Sequence, residues 1–315
     1  VIVVSFNTKD KLRRCLACLE PEHEVIVVDN ASHDGSPQMV ADEFPGVKLI
    51  RNSENVGFGI ANNQGCEAAT GDAVLFLNSD AYAEPGAVAA LAKILTDPAV
   101  VAGGGRLLNP DRSPQESIAG PLTLGAVLLE QTYLDRIARR LGGGYWRTSR
   151  THAKAVASGS PVPVEQVMGA CLLVRASVGT PLELFDPRFF LYCEDTDLCR
   201  RLSRHGTIVY HPTAEFVHDL GSSSAKDPAL GIMRYNWGKE LYFRIHHGVL
   251  QELICLGMNR LGAFLRLLVW AGISVARPAR RAMVGVFWRV LTAPHREARA
   301  STRTPESPRP AVPPA

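Results

Sequence analysis

Ala73-Val-Leu-Phe-Leu-Asn-Ser-Asp80 is the stretch whose reading decides the fold. Five apolar residues run unbroken from Ala73 to Leu77 and stop at three short polar ones. An uninterrupted apolar run of this length predicts a strand covered on both faces, as in parallel sheets flanked by helices. Such sheets bind ligands beyond the carboxyl ends of their strands, which sets Asp80 at a crevice. Asn, Ser and Asp also make ordinary turns, so Asp80 acquires a role only from its neighbours.

The preceding sequence repeats the pattern. Residues 1–4, 24–29 and 47–51 predict three more strands; the first ends at Ser5-Phe6-Asn7 and the second in the carboxylate of Asp29. Helical patterns separate them: 10–19 with Leu12, Cys15, Leu16 and Leu19 on one face, 36–44 opening on Pro37, and a glycine-bearing loop at 55–63 entering a helix that ends near Gly71. A further helix spans 85–95. This β-α-β-α-β-α-β order predicts right-handed crossovers and a doubly wound, mostly parallel α/β sheet. After Val100 the pattern loosens. A helix at 124–141 and a Gly-, Ser- and Thr-rich stretch make 121–160 a binding loop or lid. Residues 164–174 predict a strand with Gly169 inside it. Glu194–Leu202 predicts a helix with acids first and arginines last, as its dipole favours. A short strand at 207–210 and a polar loop at 216–224 follow.

The chain has 315 residues, 46% hydrophobic and 21% charged, and a formal net charge of +3. Those proportions are globular. From Glu240 onward there are eleven Arg against four Glu, which leaves residues 1–239 at −4. A mildly acidic body with a basic end excludes a nucleic-acid binder, whose charge would lie on the working domain. The seven Cys are scattered, and Cys15-x-x-Cys18 lacks the second pair that structural zinc needs. The thiols read as reduced, which predicts a cytoplasmic chain.

From about 230 the sequence is helical. Residues 253–276 are strongly apolar but interrupted by Arg260 and Arg266. The longest uncharged apolar run, 267–276, is about half the ~20 residues a membrane span requires. Two readings stay open: helices lying on an anionic membrane, with Trp270, Phe287 and Trp288 at the interface and arginines toward headgroups, or amphipathic helices packed on the body. Residues 296–315 read as disordered. The expected organisation is a catalytic domain at 1–228, with halves at about 1–100 and 101–228, then a helical extension at 229–295 and the tail.

Asp29, Asp80 and the Glu194/Asp195 pair stand at crevice positions, with His218 as a further candidate. After the first strand the chain reads Ser5-Phe-Asn-Thr8, with no glycine fingerprint, and no Walker lysine loop occurs, which argues against a dinucleotide enzyme or P-loop NTPase. Carboxylates repel phosphate, so acids facing a phosphorylated ligand call for a divalent cation between them, Mg²⁺ or Mn²⁺.

The ordered set Val3-Val-Ser-Phe-Asn7, Val27-Val-Asp-Asn-Ala-Ser32 with Asp34-Gly-Ser36, Asn55-x-Gly-Phe-Gly-x-Ala-Asn-Asn63, Leu77-Asn-Ser-Asp80, Gly169-Ala170 with Arg175, and Phe185-Asp-x-x-Phe-Phe with Glu194-Asp-x-Asp-Leu-Cys-x-Arg201 resembles family 2 glycosyltransferases of the GT-A fold, bacterial rhamnosyltransferases in particular. The motifs cover about residues 1–225. The resemblance implies an inverting transferase moving a sugar from dTDP-rhamnose or a UDP-sugar to a hydroxyl of a glycan or polyprenyl-linked glycan, at the inner face of the cytoplasmic membrane. It implies that Ser5, Asn7 and Asp29 line the nucleotide pocket, with Asn55, Gly57, Phe58 and Asn62 packing on the nucleotide. Asp80 resembles the last acid of the family's D-x-D and His218 its completing histidine, both metal ligands; Asn78 replaces the first acid. Asp195 resembles the catalytic base, Glu194 its support, and Gly169 a sugar-nucleotide contact. Asp197 is expected to pair with Arg200 or Arg201, and Arg175 to form a salt bridge. Asn78 keeps a non-catalytic sugar-nucleotide-binding protein as an alternative, and a nucleotidyltransferase is another.

Overall fold

The computed structural model describes residues 1–132, 134, 153–178, 184–219 and 227–295. Strands β1 (Ile2–Ser5), β2 (Ile26–Asp29), β3 (Lys48–Arg51) and β4 (Ala73–Asn78) form a parallel block in the order β3-β2-β1-β4. Register pairs Ser5 with Asp29 and Val4 with Asn78, so the polar strand ends stand in one row. The opening strand is covered on both sides. Leu75 and Leu77 pack with Leu12, Leu16 and Met39 of helices α1 (Lys9–Ala17) and α2 (Ser36–Glu43). Val74 and Phe76 join Ala61 and Cys66 of α3 (Phe58–Ala68) and Phe185 on the other face. This two-sided burial is why the run carries no polar alternation.

The second half of the sheet is mixed. After β5 (Ala81–Ala83) and α4 (Ala87–Ala92), β6 (Val100–Leu108) crosses the centre. The ribbon β7 (Ile118–Ala119), helix α5 (Leu124–Thr132), β8 (Val162–Val164) and β9 (Gln166–Val167) come next, then β10 (Cys171–Arg175), helix α6 (Glu194–Leu202) and β11 (Thr207–His218). β10 lies antiparallel between β4 and β6, and β6 runs parallel to β11. The far end of β11 pairs with β5, matching His218 to Ala81.

Several boundaries differ from expectation. The strand expected at 164–174 is broken into β9 and β10 around Gly169, whose N–H is taken by Asp195 Oδ2 at 2.9 Å rather than by a neighbouring strand. The short strand at 207–210 is the start of a 12-residue strand. It passes Pro212 through a register shift between His211 and Glu215, and His218 is therefore a strand end rather than a loop residue. The helix at 85–95 shortens to α4 plus a 3₁₀ turn at Lys93–Thr96. The rest of the helix expected to reach 141, Gly221, Ser222 and the tail 296–315 lie outside the described residues.

Three helices close the chain: α7 (Pro228–His247), α8 (Val249–Ala276) and α9 (Ala282–Thr292). Asp227 caps α7 by accepting from the Leu230 N–H. Helix α7 is fastened to the body. Its Gly238 sits where a Cβ would meet the Tyr192 carbonyl at 2.6 Å, and His246 bonds Asp197 at 2.7 Å. Arg260 and Arg266, two of the arginines expected at headgroups, turn inward instead. Arg260 donates to the carbonyls of Val290, Leu291 and Ala293 at the end of α9, and Arg266 to Gln131. Those carbonyls lack helical partners, and a guanidinium satisfies them. Phe287 is buried too, against its expected place at the interface.

Candidate active site

The site grows from the carboxyl edge of the parallel block. The hydroxyl chain Ser5–Thr8–Ser79, with links of 3.0 Å, ties the ends of β1 and β4 together. Asn7, at φ 55°, accepts from the His33 N–H and donates its own N–H to Ser32 Oγ, holding the loop after β2 in place. Asp29 is buried; its Oδ2 accepts from the Ser32 N–H at 2.9 Å, while its Oδ1 is buried with no partner. A buried orphan carboxylate oxygen in a native fold calls for a donor from outside the chain.

The loop entering α3 forms the next wall. Asn55 accepts from the Gly57 N–H, and Gly57 has a φ of 92° with the Phe190 carbonyl 2.8 Å from where a Cβ would stand. The Phe58 N–H bonds that same carbonyl. Asn62 donates to the Phe58 carbonyl within its own helix and is buried there. The neighbouring Asn63, not singled out from sequence, clamps both backbone groups of Phe185.

Asp80, Asn78 and His218 converge where β4 and β11 end. His218 Nε2 lies 3.4 Å from Asp80 Oδ1 and 3.4 Å from Asn78 Nδ2. The other ring nitrogen, Nδ1, donates to Gln115 Oε1 at 2.7 Å. Gln115 returns a bond from Nε2 to the His218 carbonyl at 3.0 Å. The Nδ1 bond orients the ring so that Nε2 faces Asp80, the arrangement that outer-shell partners impose on metal-binding histidines. One carboxylate oxygen and one imidazole nitrogen fit a small divalent cation. Among the described residues no third His, Cys, Asp or Glu joins them, so further ligands must come from a substrate or water. Gln115 was invisible in the sequence, a glutamine in a loop with no pattern around it.

The base candidates lie at the start of α6. Tyr192 and Cys193 both adopt left-handed φ, 73° and 65°, turning the chain abruptly into the helix. Consecutive non-glycine residues in this region cost about 1–3 kcal/mol each, and such strain clusters at functional sites. Glu194 is buried, its Oε2 has no partner, and burial beside Asp195 pushes its carboxyl up to about 8. Asp195 is also raised by burial, opposed by N–H bonds from Gly169 and Thr196 at 2.9 and 2.8 Å. Two residues of chain join this pair to the other end of the site. Gly169 N–H holds Asp195, and the Ala170 carbonyl accepts from Asn78 N–H at 3.1 Å. Asp197 is structural, held by Arg201 and His246. Arg175 binds the backbone carbonyls of Leu95, Asp97 and Val100 rather than an acid.

Residues 1–137 match the model for glycosyl transferase family 2. Over 273 residues, 78% of this chain and 84% of the relative, the sequence is 29% identical to N-acetylglucosaminyl-diphospho-decaprenol L-rhamnosyltransferase of Mycobacterium tuberculosis. Residues 1–137 of this chain are a glycosyl transferase family 2 domain. EpsH of Bacillus subtilis, named for a glycosyltransferase activity, is 36% identical over 93 residues, 27% of this chain and 26% of EpsH. The solved mannosyltransferase PcManGT from Pyrobaculum calidifontis, in complex with GDP-Man and Mn²⁺, aligns with a TM-score of 0.53 at 16% identity, covering 92% of this chain and 84% of that one. That likeness establishes the GT-A fold.

Proposed function

We propose that this family 2 enzyme transfers a sugar, with inversion, from a nucleoside-diphosphate sugar to a hydroxyl of a polyprenyl-diphosphate-linked N-acetylglucosamine at the cytoplasmic face of the membrane. The acceptor class and the L-rhamnosyl group are supported by the mycobacterial relative's name; dTDP-rhamnose or a UDP-sugar is the donor that the sequence resemblance implies. The reading is carried by one observation: Gly169 and Ala170, adjacent in the chain, tie Asp195 to Asn78, which supports one site with the base at one end and the diphosphate at the other.

In this reading Asp29 Oδ1 receives a donor from the nucleoside, which would satisfy its buried orphan oxygen. Ser5 and Asn7 shape that pocket, and Asn55, Gly57 and Phe58 form its second wall. Asp80 and His218 would hold Mg²⁺ or Mn²⁺, which when bound neutralises the departing diphosphate. Asn78 leaves this end one carboxylate short. At the other end burial raises both carboxyls, but Glu194 keeps its proton up to about 8. Asp195 is then the acid that ionises first, with two N–H groups favouring its anion. Its free lone pairs accept the acceptor hydroxyl's proton as the oxygen attacks the anomeric carbon opposite the leaving group. The same proposal keeps the catalytic domain at 1–228, with α7 fastened behind the base.

Asp195→Asn tests it. Donor binding, measured by calorimetry, should be retained, while transfer to a synthetic polyprenyl acceptor should fall by about 10²–10⁴-fold. Undiminished transfer would remove Asp195 as the base.

A further inference from the structure

Helix α8 is built inside out. Its 28 residues extend about 42 Å. The polar residues along it face the protein: Glu252 bonds Arg244, Asn259 bonds Glu240, Arg260 caps α9, and Arg266 bonds Gln131. The outward line is apolar. Leu250, Leu253, Leu261, Phe264, Leu268 and Val275 are 72%, 50%, 44%, 45%, 53% and 82% exposed, at spacings that follow one helical face. No charged residue lies on that line, and among the described residues nothing covers it. Soluble helices do the reverse, because exposing a continuous apolar stripe to water is unfavourable.

The charge around the stripe says what covers it. From residue 253 to 295 there is no Asp or Glu but six arginines. Arg277, Arg280 and Arg281 are exposed just past the end of the stripe. Across residues 253–295 a second copy of the chain would offer the exposed arginines beside the stripe no acid to pair with. An anionic lipid surface matches both the apolar line and its basic end. The helix is long and apolar enough to cross a membrane, with a mean hydropathy of 1.5 in its best window. Crossing would pull Glu252, Asn259, Arg260 and Arg266 out of their bonds and into hydrocarbon, which is costly.

We infer that the outward face of Val249–Ala276 is a membrane-docking surface that lies flat on anionic lipid, with Arg277, Arg280 and Arg281 at the headgroups. This deepens the proposed membrane location by naming the surface and its lipid chemistry.

The test is co-sedimentation of the full chain with vesicles of phosphatidylcholine alone or with about one-third phosphatidylglycerol. The chain should pellet with the anionic vesicles. The triple variant Leu261→Gln, Phe264→Gln, Leu268→Gln should lose binding by at least about tenfold, with unfolding temperature and donor affinity unchanged. Replacing Arg277, Arg280 and Arg281 by Gln should weaken anionic binding by about fivefold per arginine. Binding by the apolar triple variant as tight as the parent's would overturn the inference. So would a dimer in sedimentation velocity that the same variant dissolves, which would assign the face to a second copy. Retention in cell membranes after alkaline carbonate extraction would make the helix a span and overturn it equally. Vesicle binding uses neither donor nor acceptor turnover, so its failure leaves the transferase reading standing.

Discussion

Gln115→Leu is the sharpest probe of the metal end of the site. The substitution nearly keeps side-chain volume but removes the acceptor for His218 Nδ1 at 2.7 Å. It also removes the amide that serves the His218 carbonyl at 3.0 Å and Asn109 Oδ1 at 2.9 Å. His218 would stay attached to β11 through its backbone, but its ring would lose the contact that aims Nε2 at Asp80. Loss of such outer-shell partners lowers metal affinity about 10–100-fold, or about 1.4–2.7 kcal/mol. Leaving buried polar groups unpaired should lower stability by about 1–3 kcal/mol. Gln115→Glu keeps an acceptor for Nδ1, so its Mn²⁺ affinity should stay near that of the parent. Mn²⁺ binding is read by electron paramagnetic resonance in the presence of UDP or dTDP, with thermal unfolding as the check on folding. A folded Gln115→Leu that binds Mn²⁺ as tightly as the parent would refute the positioning argument. A parent chain that binds no Mn²⁺ would refute the metal assignment itself.

The other predictions concern the nucleotide and base ends. The Glu194 carboxyl is raised from 4.5 to about 8, so the folded state holds a proton that the unfolded chain releases. That stability is present below about 4.5 and drains away as pH rises to about 8. Glu194→Gln should therefore match the parent's unfolding temperature near pH 4.5 and exceed it increasingly toward pH 8; a constant difference would contradict the shift. Gly169→Ala would press a methyl to within 3.0 Å of the Asp195 Cβ, so kcat should fall while donor affinity, measured by calorimetry, holds. Gly57→Ala combines a φ of 92° with a 2.8 Å approach to the Phe190 carbonyl and should lower stability by about 1–3 kcal/mol in denaturant titration. Asp29→Asn keeps an oxygen for the Ser32 N–H but alters the orphan Oδ1; donor binding should weaken by about tenfold or more if that oxygen meets the nucleoside.

The parallel half of the fold was legible because two-sided burial writes itself directly into residue type. Leu75 and Leu77 on one face, and Val74 and Phe76 on the other, leave no room for polar alternation. The change to Asn78-Ser79-Asp80 marked where the strand leaves the core. Gln115 was not legible: its partner His218 is 103 positions away, and nothing local requires a glutamine there. Nor was the split at Gly169, which answers to the side chain of Asp195 across 26 positions.

The C-terminal helices show a different limit. A 3.6-residue period reveals that a helix has two faces, but not which of them turns inward. The usual rule puts the apolar face inside because water lies outside. In α8 that rule fails because the inner surface is already polar: Lys239 is buried against Glu130, Glu240 against Asn259, and Gln131 against Arg266. Against an apolar face, Glu240, whose carboxyl burial pushes up to about 7, and buried Gln131 would lose the bonds that Asn259 and Arg266 of α8 give them. Unpaired buried polar groups are costly, so the polar face of α8 must turn toward them. The apolar face is then displaced to the outside by the protein's own interior. An inverted helix of this kind is readable only once its neighbours' polar residues are known to be buried, and that knowledge exists in three dimensions alone.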